Sequence, residues 1–143
     1  MYECAAITIF LCDRHQDAKL APKPNSPLRS LFLQTLVYFS SSIQTAFQQD
    51  YHPYRFADKI EDEVGAQRRG QKRLMETLQI IDDQIGENKW ILGECFSAAD
   101  IYLYMLTTWL KPSREHPELS NFPNVQRIAK QTGVRPSIKL VYG

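Results

Sequence analysis

The side chains that could bind metal or carry catalysis are few in this chain, and their spacing matches no catalytic signature. His15, His52 and His116 are far apart and fall in polar segments or at predicted helix ends. No H-x-x-x-H or paired Cys/His spacing indicates zinc, which needs three or four such ligands together. A G-x-S-x-G motif and a glycine-rich phosphate loop are also missing. We therefore predict no metal site and no catalytic residue within these 143 residues.

The three cysteines, Cys4, Cys12 and Cys95, are odd in number and show no C-x-x-C spacing. Two cysteines eight residues apart in one helix would be separated by about 12 Å, which is beyond disulfide reach. Reduced thiols in a cytoplasmic protein are the simplest interpretation. Cys4 begins a predicted helix, where a thiol can be reactive.

The segment FSAAD, Phe96 to Asp100, carries a helix start signal. Ser97 is the predicted N-cap, with its hydroxyl accepting the N–H of Asp100 and the Asp100 carboxylate accepting the N–H of Ser97. Phe96 and Ile101 are placed to form a hydrophobic staple. The pattern predicts where a helix begins and by itself implies no chemistry.

Composition is that of an ordinary soluble protein. Hydrophobic residues make up 43% and charged residues 23%, and the net charge is +1. This balance gives no electrostatic reason to expect nucleic acid or an anionic membrane as partner. The N-terminal segment has no basic region or cleavage site of a signal peptide, and no segment reaches transmembrane length.

Helical periodicity runs along the chain, and strand signals are nearly absent. We predict a short helix over Tyr2 to Asp13, a proline-rich linker over Ala21 to Pro27, and a central helix over Leu28 to Asp50. The predicted apolar face of the first helix is Ala6, Ile7, Phe10 and Leu11.

A second long helix is predicted over Ala57 to Ile85, with Ile60 and Val64 on its apolar side and Asp82-Asp83 on a solvated face. The capped helix should end before Lys111-Pro112, and a further helix near Val125 to Thr132 is followed by a last helical turn. Aromatic and thioether side chains at helical spacing are expected in the core, namely Tyr38, Tyr102, Tyr104 and Met105. Together these elements predict an all-α bundle of five to six helices.

Four separated segments resemble, in the same order, cytosolic glutathione S-transferases, most of all bacterial beta-class members. The segment WILGECFSAADIYL is similar to the family's loop ending L-x-G, followed by F-[ST]-x-A-D and a buried helix. YECAAITIFLCDRH with the later LAP resembles the E-S-x-A-I-x-x-Y-L helix and its linker. SPLRSLFLQTLVYFSSSIQTAF is similar to the first long helix of the α-domain, and FPNVQRIAKQTGVRPSIK to the closing Y-P-x-[LV] and R-P-x-[VI] elements.

The resemblance implies a domain layout. Residues 1–20 correspond to the last helix of a thioredoxin-like domain, 21–27 to the linker, and 28–143 to the C-terminal α-helical domain. Most of the thioredoxin-like domain has no counterpart in these residues, so no position matches the family's catalytic residue.

The resemblance also implies a site. Glu3 and Cys4 match the family's acid-serine pair, which holds the γ-glutamyl group of glutathione, the co-substrate. A helix N-terminus favours a carboxylate, although Cys is a poorer donor than Ser. The electrophile pocket would be lined by Val37, Ser41, Gln44, Thr45 and Trp109. Beta-class members usually place Asn and His where Val37 and Gln44 stand.

Two functional hypotheses follow. The chain contributes a hydrophobic electrophile site to glutathione conjugation, as part of a homodimer, and is inactive without a thioredoxin-like domain. Alternatively, it is a non-catalytic interaction or assembly module whose uncovered apolar surface binds a partner or a second copy.

Overall fold

The computed structural model describes residues 1–143 and consists of helices without a sheet. A π-helical turn, Phe39–Ile43, joins α2 to α3 without a break, so the chain contains six separate helices. The all-α prediction is thereby confirmed. The helical segments are α1 Cys4–Arg14, α2 Arg29–Tyr38, α3 Gln44–Tyr51, α4 Glu63–Ile85, α5 Ala98–Thr108, α6 Pro123–Gly133 and α7 Pro136–Tyr142. None of them is long and apolar enough to cross a membrane.

The continuous α2–α3 helix is central, as its apolar spacing predicts. Its inward side chains are fully buried and belong to one core shared with α4, α5 and α6. They are Phe32, Leu36, Phe39, Ile43 and Phe47. Of the other expected core residues, Tyr102 is buried, whereas Tyr38, Tyr104 and Met105 are half-buried at the core's edge.

Helix α4 begins at Glu63, six residues later than predicted. Lys59 has an extended backbone (φ −134°, ψ 151°), so the helix cannot continue back through it. Only a single 3₁₀ turn, Ile60–Asp62, precedes α4. The apolar assignment of this end was wrong, because Ile60 is 83% and Val64 72% exposed.

The predicted inward face of α1 was also wrong. Ala5 is buried and Ile9 and Cys12 pack on the core, whereas Phe10 and Leu11 point toward solvent. The helix is apolar on most sides, so periodicity could not select a face. Its orientation is held instead by Asp13, whose carboxylate accepts two hydrogen bonds from Arg29 of α2 at 2.7 and 2.9 Å.

The prediction of a solvated Asp82 was wrong. The side chain is buried and accepts the backbone N–H groups of Asn124 and Val125, both at 2.8 Å. Phe122, the residue at the N-cap position of α6, cannot cap by side chain, so Asp82 of α4 satisfies these free N–H groups instead. Asp83, the next residue, is exposed as predicted.

Helix α5 begins at the predicted capping box. Ser97 is the N-cap and donates its N–H to the Asp100 carboxylate at 2.8 Å. Its hydroxyl accepts the N–H of Ala99 at 3.2 Å. Asp100 is buried and also accepts the N–H of Ile91 at 3.0 Å, which ties the preceding loop to the helix start. Burial raises the pKa of Asp100, and the hydrogen bonds from Ile91 and Ser97 partly offset that increase.

Candidate functional site

A groove of about 450 Å³ lies between α3 and the C-terminal end of α5. Three aromatic side chains form its wall, and Trp109 packs edge-on against Phe47 at a centroid distance of 5.5 Å. The Tyr51 hydroxyl donates to the carbonyl of Trp109 at 3.0 Å, which fixes the wall where α5 ends. The eight lining residues are Gln44, Phe47, Gln48, Tyr51, His52, Thr108, Trp109 and Lys111.

A buried carboxylate, Asp50, organises the region next to this wall. Its Oδ2 accepts from Nε of Arg114 at 2.7 Å and lies 2.8 Å from Nε2 of His116. Its Oδ1 accepts from Gln67 and Gln71 of α4 at 3.2 and 3.3 Å. Although burial acts to raise it, the pKa of Asp50 is lowered overall, because Arg114, His116 and Gln67 donate to the charged carboxylate.

This carboxylate is linked to the groove through side chains on both sides. The Arg114 guanidinium carbon lies 4.4 Å from the centre of the Tyr51 ring. His116 packs edge-on against Phe47 and Tyr51, and its Nδ1 accepts the backbone N–H of Lys111 at 3.0 Å. Because Nδ1 accepts, Nε2 carries the proton donated to Asp50. Burial raises the pKa of the Tyr51 hydroxyl; Arg114 acts to lower it and Asp50 to raise it.

Gln44 connects the groove with the start of α1. Its Oε1 accepts the Tyr102 hydroxyl at 2.7 Å, and its Nε2 lies 3.9 Å from the sulfur of Cys4. Burial raises the pKa of Tyr102, and the nearby Cys4 and Glu3 raise it further. Cys4 and Tyr102 also line a second, smaller cavity of about 180 Å³ between α1, α5 and α7.

Glu3 precedes α1 with φ 70° and ψ 111°. Residues other than glycine rarely adopt a positive φ, and such conformations cluster at binding sites. Glu3 makes no side-chain capping hydrogen bond, so the N–H groups of the first turn of α1 are free to bind an anion.

Of the five residues expected to line the electrophile pocket, two lie in the groove and three do not. Gln44 and Trp109 line the groove. The other three, Val37, Ser41 and Thr45, lie outside the groove on the outer face of the α2–α3 helix. The Ser41 hydroxyl donates to the backbone carbonyl of Val37, and the Thr45 hydroxyl donates to the backbone carbonyl of Ser41, both at 2.8 Å.

Sequence reasoning missed most of the groove. Phe47 and Tyr51 follow Gln44 at helical spacing and could have been added on that ground. The contact between Asp50 and His116, next to the groove, could not have been predicted. The two residues are 66 positions apart in sequence, and neither lies in a motif. His116 was assigned to a polar loop, and the structure buries it.

Comparison with known proteins shows which family this chain resembles. Residues 64–129 match the family model "Glutathione S-transferase, C-terminal domain". Over 137 residues the chain is 27% identical to glutathione S-transferase GstA of Escherichia coli O157:H7, covering 96% of this chain and 64% of the relative. The chain thus spans less than two thirds of that relative's length.

Solved structures agree over the whole chain. A beta-class glutathione S-transferase of Sphingomonas chungbukensis is 25% identical with a TM-score of 0.79, covering 98% of this chain and 65% of that one. A sphingomonad glutathione S-transferase complexed with glutathione is also 25% identical, with a TM-score of 0.80 and the same coverage of both chains. These matches confirm the resemblance drawn from the sequence: residues 64–129 match the C-terminal domain of the glutathione S-transferases, and the chain as a whole is similar to members of that family.

Proposed function

We propose that this chain supplies the electrophile-binding groove of a glutathione transferase, with Glu3 and Cys4 on the glutathione side. The observation that carries the proposal is the position of Gln44, which lines the aromatic groove and also reaches Cys4. An electrophile against Trp109 would therefore lie close to a glutathione molecule held at the start of α1. A sphingomonad relative is described as complexed with glutathione.

On the glutathione side, the proposal assigns one role to each group. The free N–H groups at the start of α1, including that of Cys4, would hold the γ-glutamyl carboxylate. The Glu3 carboxylate would pair with the ammonium group. The backbone of Glu3 supports this role, because a positive φ is rare outside glycine and such conformations cluster at binding sites.

The chemistry expected of the assembled site is attack of the glutathione thiolate on the bound electrophile. By the resemblance, the group that activates the thiol belongs to the thioredoxin-like domain, and no position in these residues matches it. We therefore expect the 143 residues expressed alone to give no conjugation above the uncatalysed rate. Turnover of 1-chloro-2,4-dinitrobenzene with glutathione would contradict this expectation.

Ligand binding can be tested separately, because the chain contains only two tryptophans, Trp90 and Trp109. In Trp90→Phe the only tryptophan lines the groove, and in Trp109→Phe the only one lies in the core. We expect S-(2,4-dinitrophenyl)glutathione to quench the first variant saturably and the second weakly. Equal or non-saturable quenching in both, with circular dichroism unchanged, would refute the groove assignment.

One observation favours the interaction-module alternative. Apolar side chains that face solvent lie on α1 and α7, with Leu140 87% exposed. The set is Phe10, Leu11, Leu140, Val141 and Tyr142. Such a surface would mediate a homodimer or bind another domain. Light scattering should then show concentration-dependent association that weakens in Leu11→Glu, and a monomer at all concentrations would count against it.

A further inference from the structure

The charge of the groove points to a more specific ligand than its aromatic wall alone. None of the eight lining residues is acidic, and Lys111 is the one that carries a permanent positive charge. The ion pairs of the structure do not include Lys111, and its ammonium donates no hydrogen bond to another side chain. Its positive charge is therefore available to a ligand.

The buried Asp50 carboxylate, next to this wall, does not cancel that charge. Asp50 lies behind Tyr51 and Phe47, is fully buried, and is paired with Arg114 at 2.7 Å. His116 is neutral in the arrangement described, because its Nδ1 accepts the N–H of Lys111. The Asp50–Arg114–His116 group thus has no net charge, and Lys111 sets the sign of the potential in the groove.

The same group also anchors the backbone of the residue that carries this charge. The backbone of Lys111 is held by His116, and His116 is held by Asp50. Trp109 is two positions earlier and is held by Tyr51. A cation on an anchored backbone therefore lies beside a flat aromatic wall, while Gln48 and Thr108 supply neutral polar groups at the rim.

We propose that this groove selects planar aromatic electrophiles that carry an anionic substituent, such as a carboxylate, with the Lys111 ammonium as its counter-charge. The inference rests on the proposed function, which it narrows to a substrate class. Trp109 and Phe47 would stack against the ring, and Lys111 would face the acid group.

The test compares two probes of the same shape, 4-chloro-3-nitrobenzoate and the neutral 4-chloro-3-nitrobenzamide. Binding is followed by quenching of Trp109 in the Trp90→Phe chain at about pH 8, where histidines carry little charge. We expect the benzoate to bind about 3- to 5-fold more tightly, as one exposed ion pair allows. The preference should shrink as salt is raised.

Three variants locate the charge. Lys111→Gln should abolish the preference for the benzoate over the benzamide, whereas Lys111→Arg should keep it. Lys59→Gln, an exposed lysine outside the groove, is the matched control and should leave the preference unchanged. Equal binding of the two probes, or an equal loss of both in Lys111→Gln, would overturn the inference and leave the groove assignment standing. Failure of both probes to quench Trp109 would overturn the groove assignment, and the inference with it.

Discussion

Adjacent aspartates in α4 offer a sharp test of how the bundle is held together. Asp82 and Asp83 are the same residue type at consecutive positions of one helix, but Asp82 is buried and Asp83 is exposed. Replacing each by alanine therefore separates the capping of α6 from any general effect of charge or helix propensity.

The magnitude for Asp82→Ala follows from three contacts. The N–H of Val125, a buried residue, would lose its acceptor, at a cost of about 1 to 3 kcal/mol. Asn124 is half-buried, so its N–H and side-chain amide can turn partly to water, at a cost of about 0.5 kcal/mol. Loss of a negative charge at the start of α6 adds about 0.5 kcal/mol. The sum is roughly 2 to 4 kcal/mol.

Asp83→Ala removes one exposed hydrogen bond from Gln79 and should change stability by no more than about 0.5 kcal/mol. Urea unfolding followed by circular dichroism measures both variants. Asp82→Asn should fall between them, because its amide oxygen can still accept but carries no charge. If Asp82→Ala and Asp83→Ala lose the same stability, the capping role of Asp82 is refuted.

Two further predictions concern the contact between α3 and α4. Asp50→Ala should lower the free energy of unfolding by about 3 kcal/mol, because it leaves Arg114 and the buried His116 without their acceptor. Folding lowers the pKa of Asp50, so the carboxylate stabilises the folded state fully above the ordinary aspartate pKa near 4. This stabilisation is lost as the pH falls through the lower pKa of the folded state. Measuring the free energy of unfolding against pH should show the loss in the parent chain and not in Asp50→Ala. Gly70→Ala should destabilise by about 1 to 3 kcal/mol, because its Cβ would lie 2.8 Å from the backbone nitrogen of Asp50. Gly65→Ala is the control on the same helix, with only a side-chain atom at 3.6 Å, and should stabilise by up to about 1 kcal/mol in the same urea assay; equal effects of the two would contradict the close approach.

The sequence predicted those features that depend on neighbours along the chain. The capping box at Ser97 and Asp100 is a four-residue signal, and the α2–α3 helix shows its apolar stripe in every turn. Both were predicted correctly. The face of α1 was not, because several of its faces are apolar and the choice depends on Asp13 meeting Arg29 of another helix.

Polar groups in the interior were the least predictable part. Asp82 and Asp83 look alike in sequence, and only the position of α6 determines which one is buried. Asp50 was read as the end of a helix, whereas it joins residues of α3, α4 and the loop after α5. Buried charges are tolerated only with full sets of partners, and those partners came from positions that no local pattern connects.

These local and distant features combine at the groove. The capping box fixes the first residue of α5, and a helix rise of 1.5 Å per residue then carries the chain about 16 Å to Trp109. Trp109 meets α3 because the Tyr51 hydroxyl donates to its carbonyl, and because Arg114 and His116 hold the following loop to Asp50. The capping box at Ser97 thus determines where α5 begins, and the contacts of Asp50 determine where the loop after α5 packs. A change at either one should therefore alter ligand binding at Trp109 without touching a residue that contacts the ligand.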